Sequence, residues 1–263
     1  LDTHAETVLD VDADELVDRD FWAAFPGVEG TEFEPVYREA MRTRSAGHVE
    51  SYYGRIDGWL EVYVYPDFAG GLSFYFRDVT QRKTREQELE RRQRTLRAVY
   101  EIIADRDQPF REQVSSLLEL GREELGTDFG SLSRIEGDDY VFEIVDAADD
   151  SIRPGDVVPV SATNCEVAAE EERTLVLGDI EHDAPELTDR AGYTDWGISC
   201  YVGAPVFVDD EVYGTFCFYD TEPRADQFLT WEVTLVDLMS RWVSYGLQIR
   251  RDTERLNREN ERL

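Results

Sequence analysis

Apolar and polar residues alternate with a period of two over three stretches in the first third of the chain: HVESYYGRI (48–56), GWLEVYVYP (58–66) and GLSFYFRDV (71–79). Alternation puts successive side chains on opposite faces of a strand. In the third stretch Leu72, Phe74 and Phe76 therefore share one face, and Ser73, Tyr75 and Arg77 the other. DFAGG, between the second and third stretches, reads as a hairpin turn. TEFEPVYREAMRTR (31–44) changes to helical period, with Phe33, Tyr37 or Val36, Ala40 and Met41 directed inward. FWAAFPGVEGTEF (21–33), punctuated by Pro26, Gly27 and Gly30, reads as a loop, and 1–20 as acidic short helices and turns. A helix followed by three antiparallel strands makes residues 1–79 one α+β domain.

At Asp78 the alternation stops and a charged helix is expected over 80–105. A second helix is expected over 109–126, with Pro109 at its start and Gly126 at its end. Strand patterns return in 129–148, as a hairpin about Gly137–Asp139, and in VVPV (157–160). TNCEVAAEEE (163–172) reads as a short helix capped by Thr163 or Asn164, TLVLGDI (174–180) as a strand, and 181–197 as a polar irregular stretch. Residues 199–220 form a hairpin about Asp209–Asp210, and a last helix is expected from Ala225 to Leu263. Residues 106–245 are thus a second α+β domain, helices enclosing a five- or six-stranded antiparallel sheet.

The two long helices carry sparse apolar stripes. Leu89, Leu96 and Ile103 recur every seven residues in the first, with Tyr100 beside them; Leu235, Trp242, Ile249, Leu256 and Leu263 do so in the last. The companion positions of the last helix are Met239, Gly246, Thr253 and Asn260. Leucine with a polar partner such as Asn260 sets register in two-stranded parallel coiled coils. Leu235, Met239 and Trp242 are expected to cover the domain's own sheet. Beyond them, in 246–263, Ile249, Leu256, Asn260 and Leu263 are expected to meet a second copy, as are Leu89 and Leu96. The expected assembly is a homodimer, because helices so poor in apolar surface need a partner. Asp78 is placed to cap the first helix, with Gln81 completing a capping box and Arg82 or Lys83 pairing with Asp78. Asp78, Thr80 and Arg82 are the residues expected to pass a movement of the sheet into the helix.

Charge narrows the function. Against 58 Asp and Glu stand 27 basic residues, all but Lys83 arginine, for a net charge of −31. The acids are spread along the whole length, so the composition resembles cytoplasmic proteins of salt-loving archaea, and a cytoplasmic location is expected. Such a surface repels itself without screening salt. It argues against binding DNA, RNA or anionic lipid, which needs a basic patch. Cys165, Cys200 and Cys217 are too few and too scattered for a disulfide framework. No apolar run approaches a membrane span. Leu1 stands where an initiator Met would, so a longer parent protein is expected.

FRDVTQRK (76–83) resembles the end of a PAS domain, where an Asp-Ile/Val-Thr motif leaves the last strand and begins a signalling helix. FWAAFPGVEGTEFEPVYREAM, GWLEVYVYP and GLSFYFRDVT are similar to PAS domains of archaeal sensors. ISCYVGAPVFVDDEVYGTFCFYD and FLTWEVTLVDLMSRWVSYGL resemble the GAF domains that follow them, in sensor histidine kinases and bacterio-opsin-activator-like regulators. The PAS resemblance departs at 1–20, which does not supply both of the strands that usually open that sheet, so a truncated PAS sheet is expected. The resemblance implies an intracellular sensory and dimerisation module that relays a ligand or redox signal to a downstream output domain or response regulator. The alternative is an acidic scaffold of a transcription regulator that binds no ligand.

Catalytic chemistry is not legible. His4, His48 and His182 lie outside any phospho-acceptor helix, and no phosphate-binding glycine loop or basic recognition helix occurs. No enzymatic activity is expected of this chain, and no metal site, the spacing of Cys165, Asp179 and His182 matching no known ligand pattern. The candidate ligand-binding residues are Cys165, Tyr193, Trp196, Tyr201 and Cys217, grouped about the pocket the GAF resemblance implies. The cofactor, if any, is unspecified. Buried packing is the other reading of the cysteines.

Overall fold

Val49, Val62 and Phe76 stand side by side across a three-stranded antiparallel sheet, β1 (Gly47–Tyr53), β2 (Gly58–Pro66) and β3 (Leu72–Asp78), in that order. The computed structural model describes residues 9, 11 and 13–260, so His4 and Leu263 lie outside the described residues. The chain divides into two compact units, Leu1–Gln93 and Arg94–Leu263.

In the first unit, helix α1 (Phe33–Thr43) sets Phe33, Tyr37 and Ala40 against Val49, Tyr53, Leu60, Val62 and Val64. Met41, expected inward, is exposed: those three residues already cover the narrow sheet, and Met41 lies beside Arg44 at the helix end. The apolar face of β3, an edge strand, is only half-buried. The stretch 21–33 is not a loop. Asp20 caps a single turn, Phe21–Ala24, and Pro26 opens a 3-10 turn to Val28. These turns bring Phe21 flat onto Phe74, ring centroids 5.2 Å apart.

Helix α2 (Thr80–Ala104) starts where β3 ends. Asp78 Oδ1 accepts the Thr80 N–H at 2.8 Å. Asp78 thus caps through Thr80, not through the box expected with Gln81, and the expected ion pair with Asp78 is replaced: Arg82 and Lys83 turn to Glu50 on β1, and Arg82 also to Glu86. Lys83 and Arg82 together hold the Glu50 carboxyl below its ordinary pKa.

The second unit holds a six-stranded antiparallel sheet of order β6-β5-β4-β9-β8-β7. Its strands are β4 (Phe129–Glu136), β5 (Asp139–Ala147), β6 (Val157–Pro159), β7 (Leu175–Leu177), β8 (Cys200–Val208) and β9 (Glu211–Asp220). The β8–β9 turn uses Asp209 and Asp210 at φ 55° and 61°, the left-handed pair a two-residue hairpin needs. Helices α3 (Phe110–Leu125) and α5 (Thr230–Asn260) cover one face, burying Leu117, Leu118, Leu235 and Met239 against Val202, Phe216 and Phe218. The last turns of α2 add Val99 to this core. Gly246 of α5 is a close-approach position, where a Cβ would run into the Phe110 ring.

The other face carries Tyr140, Phe142, Tyr201, Cys217 and Tyr219, covered by α4 (Cys165–Glu170) and neighbouring turns. Burial on both faces explains why β8 and β9 read as nearly continuous apolar runs. Three sequence expectations change here. The stretch 181–197 is a chain of single turns at Ile180–Asp183, Pro185–Leu187 and Ala191–Thr194. The Asn164 side chain makes no cap bond, and Thr163 Oγ1 donates back to the Val160 carbonyl. The last helix starts at Thr230, not Ala225, because Glu232 accepts the Leu229 N–H and Arg224 N–H is held by the Gly178 carbonyl. None of the described helices is long and apolar enough to cross a membrane.

Candidate functional site

β5, β8 and β9 direct alternate side chains toward α4, and between them lies a cavity of about 480 Å³. Phe129, Tyr140, Phe142, Trp196 and Tyr201 supply aromatic wall, and Cys165, first residue of α4, supplies a thiol. Asp156 and Asp195 supply carboxylates among the described lining residues, and no Lys, Arg or His is among them. Such a wall suits a small, flat, uncharged or cationic molecule and disfavours a phosphate, which would meet two carboxylates and no cation.

The floor is a sulfur–hydroxyl cluster. Tyr140 Oη lies 2.9 Å from Cys165 Sγ and 2.8 Å from Thr215 Oγ1. Tyr201 Oη donates to Cys165 Sγ at 3.2 Å. Cys217 Sγ lies 3.8 Å from Cys165 Sγ and 3.4 Å from Ser131 Oγ. Burial works against ionising the Cys165 thiol, but donors at Cys217, Thr215, Tyr140 and Tyr201 outweigh it and bring its pKa down to about 6. The hydrogen bond Cys217 gives to Cys165, together with burial, pushes the Cys217 thiol up. Burial likewise raises Tyr140 and Tyr201, which stay protonated donors. The cluster therefore favours thiolate on Cys165 and thiol on Cys217.

The fold brings Cys165, Trp196 and Tyr201 together at the cavity as expected from sequence, and separates two others. Cys217 is fully buried beneath the floor, and Tyr193 lies outside the lining with its hydroxyl on Glu181 at 3.5 Å. Sequence reasoning missed Tyr140, Phe142 and Thr215. Tyr140 and Phe142 are two apart on a strand, a signal that the alternation of the 139–147 stretch did carry. Cys200 packs on the opposite face of the sheet. His48 belongs to β1, 3.2 Å from Glu61 and stacked on Tyr63. No group of three or more His, Cys, Asp or Glu placed to hold a metal occurs among the described residues.

Away from the cavity, Asp78, Thr80 and Arg82 sit together at the start of α2. Leu89 and Leu96 on α2 are 63% and 52% exposed, and Ile249 and Leu256 on α5 are 47% and 57% exposed, with Asn260 exposed beyond them.

A model of the GAF domain family matches residues 109–247, more than half of the chain and all of the second sheet. The chain belongs to the GAF domain family. Among solved structures it is similar to the GAF domain of a phosphoenolpyruvate-protein phosphotransferase from Coxiella burnetii, at 16% identity over 62% of this chain and 96% of that one, TM-score 0.48. The corresponding Acinetobacter domain gives 12% identity over 64% and 95%, TM-score 0.49. The blue-light absorbing form of the Thermosynechococcus elongatus PixJ GAF domain gives 14% over 57% and 91%, TM-score 0.46. No relative is found among curated proteins. The GAF match ends close to Gly246, so the exposed positions Ile249 and Leu256 lie beyond the family domain proper.

Proposed function

We propose that this chain is the sensory and dimerisation region of a larger signal-transduction protein, a PAS-like unit followed by a GAF domain, from a salt-adapted archaeon. The GAF cavity takes a small aromatic molecule, and α2 and α5 relay its presence to a downstream output domain, a kinase or a transcription regulator. The chain itself catalyses no reaction in this reading. The observation that carries it is the cavity: about 480 Å³ of mostly aromatic wall over a polar floor, within the range of small-molecule sites. The scaffold alternative expects an empty or filled-in core and no thermal shift with any ligand.

Three further observations support the reading. One helix and three antiparallel strands, leaving through Asp78-Val79-Thr80 into α2, fit a PAS-like core. Exposed leucine and isoleucine at seven-residue spacing on α2 and α5 fit a parallel homodimer. The net charge of −31 fits a cytoplasm of concentrated salt.

The test is binding of indole and of simple phenols in molar potassium chloride, read by thermal shift, with a native mass spectrum of the protein from its host. A ligand at about 100 times its Kd adds about 2.7 kcal/mol of stability. A bare native mass with no shift from any probe would return the module to the scaffold reading.

A further inference from the structure

Two of the three cysteines meet in the GAF core although 52 residues separate them in sequence. Their sulfurs are 3.8 Å apart, and a disulfide requires about 2.05 Å, so a closure of under about 2 Å would join them. They are not equivalent. Cys165 lines the cavity and can be reached from it; Cys217 does not line it and is fully buried behind Cys165. Around them stand two tyrosine hydroxyls, Thr215 and Ser131, more polar hydrogen-bonding groups than cysteines kept only for packing require. Cys200, on the far face among Val202, Phe216 and Phe218, has no second thiol beside it among the described residues.

We infer that Cys165 and Cys217 form a reversible dithiol switch on the cavity floor, oxidised by a small hydroperoxide that enters the cavity. The inference rests on the reading of this lobe as the sensing part of the module, and names redox state as one of its inputs. In the first step the Cys165 thiolate attacks one peroxide oxygen. An S–O bond forms, the O–O bond breaks, and the departing alkoxide or hydroxide takes up a proton. Cys165 is then a sulfenic acid. In the second step Cys217 loses its proton and attacks the Cys165 sulfur; the S–S bond forms, the S–O bond breaks, and water leaves. Two thiols have given two electrons to one hydroperoxide, which ends as an alcohol or water, and water is the second product. Two reduced thiols supplied from outside restore the pair.

The electrostatics agree with this order. The donors around Cys165 favour the thiolate that must attack first, while Cys217 retains its proton until the sulfenic acid is in place. The geometry also gives the bond a consequence. Cys165 is the first residue of α4, and the segment before it is held by Arg190, whose guanidinium donates to the Thr163 carbonyl at 2.7 Å and pairs with Glu166 at 2.7 Å. Drawing Cys165 onto β9 removes its sulfur from Tyr140 and Tyr201 and reshapes the cavity floor, so oxidation and ligand binding should compete.

The experiment treats the full chain in molar potassium chloride with hydrogen peroxide, quenches with acid, and counts thiols after unfolding. The expected result is that two of three thiols disappear together, the mass falls by two hydrogen atoms, and a Cys165–Cys217 peptide is recovered while Cys200 stays alkylatable. Dithiothreitol should return all three. In Cys217→Ser, dimedone should trap a sulfenic acid on Cys165; in Cys165→Ser, no thiol should be lost at the same dose. Retention of all three thiols in the native wild type, or Cys165 passing to sulfinic acid with Cys217 still free, would overturn the switch. The wild-type count stands even if a variant fails to fold. Indole binding is scored separately: a bond that forms in a protein binding no probe leaves the dithiol standing and removes the ligand reading, and probe binding without the bond does the reverse.

Discussion

Thr80 Oγ1 accepts the backbone N–H of Trp59 at 2.9 Å, so the first side chain of α2 continues the hydrogen-bond ladder of β2 beyond the end of β3. The Val79 N–H donates to the Trp59 carbonyl at 2.9 Å, and together the two bonds tie sheet end to helix start. Replacing Thr80 with Val leaves a partly buried amide without an acceptor, which costs about 1–3 kcal/mol. The unfolding midpoint should fall by several degrees, and Thr80→Ser, which keeps the oxygen, should stay near wild type. Equal losses for Val and Ser would mean that the hydroxyl does not hold the junction.

Asp78 adds a pH dependence to the same junction. The Thr80 hydroxyl and N–H hydrogen-bond its carboxylate and lower its pKa from 3.8. A carboxyl depressed on folding contributes stability above its unfolded pKa and loses it as pH falls through the folded value. The difference in stability between wild type and Asp78→Asn should be constant above about pH 5. It should shrink as the solution is acidified below 3.8. Taking the difference removes the contribution of the many other acids. A difference that grew on acidification would reverse the assigned sign.

The strands of both sheets and the long helices were legible because their faces repeat every two or about 3.6 residues, and burial follows those faces. Single turns have no such period. Phe21–Ala24 and the turns of 180–194 therefore read as irregular, although Asp20 and Asp179 are ordinary N-cap residues. The cavity was half legible. Cys165, Trp196 and Tyr201 cluster in a stretch of chain that could be searched locally. Tyr140 and Thr215 join them only because β4 lies between β5 and β9 in the sheet, a pairing that no local pattern states.

Gly246→Ala should destabilise the protein, the reverse of what helix propensity predicts. In an exposed helix the change stabilises by about 0.8–1 kcal/mol. Here the new methyl would enter the Phe110 ring, which packs against Trp242 at a centroid distance of 5.5 Å. Overpacking of this kind costs about 1–3 kcal/mol. The double variant Phe110→Leu/Gly246→Ala should lose less than the sum of the single losses. Stabilisation by Gly246→Ala would show that the α3–α5 contact is loose.

The exposed stripe of α5 predicts the oligomeric state. Leu256→Asp, with Ile249→Asp for emphasis, should shift sedimentation in molar salt from dimer toward monomer, with a Kd at least tenfold weaker and an unchanged GAF core. Ile249 and Leu256 lie after the last fully buried α5 residue, Val243, so folding of the domain should be spared. An unchanged dimer would move the interface elsewhere, with the Leu89–Leu96 stripe as the next candidate.

Tyr140 should set the reactivity of Cys165 through the hydrogen bond between them on the cavity floor. Cys165 is brought down to about 6 against the opposing effect of burial, and the Tyr140 hydroxyl, 2.9 Å from its sulfur, is one of the donors responsible. A thiol lowered on folding contributes stability above its unfolded pKa, and that contribution is lost as pH falls through about 6. Alkylation of Cys165 by iodoacetamide should accordingly reach half its limiting rate near pH 6 in the wild type. In Tyr140→Phe, the midpoint should move toward the ordinary thiol value of about 8.5. The same change strips Thr215 Oγ1 of its 2.8 Å partner and should cost about 1 kcal/mol or more in stability. A purely structural tyrosine would show the stability loss without the displaced profile. A displaced profile alongside that loss assigns Tyr140 to tuning the thiol.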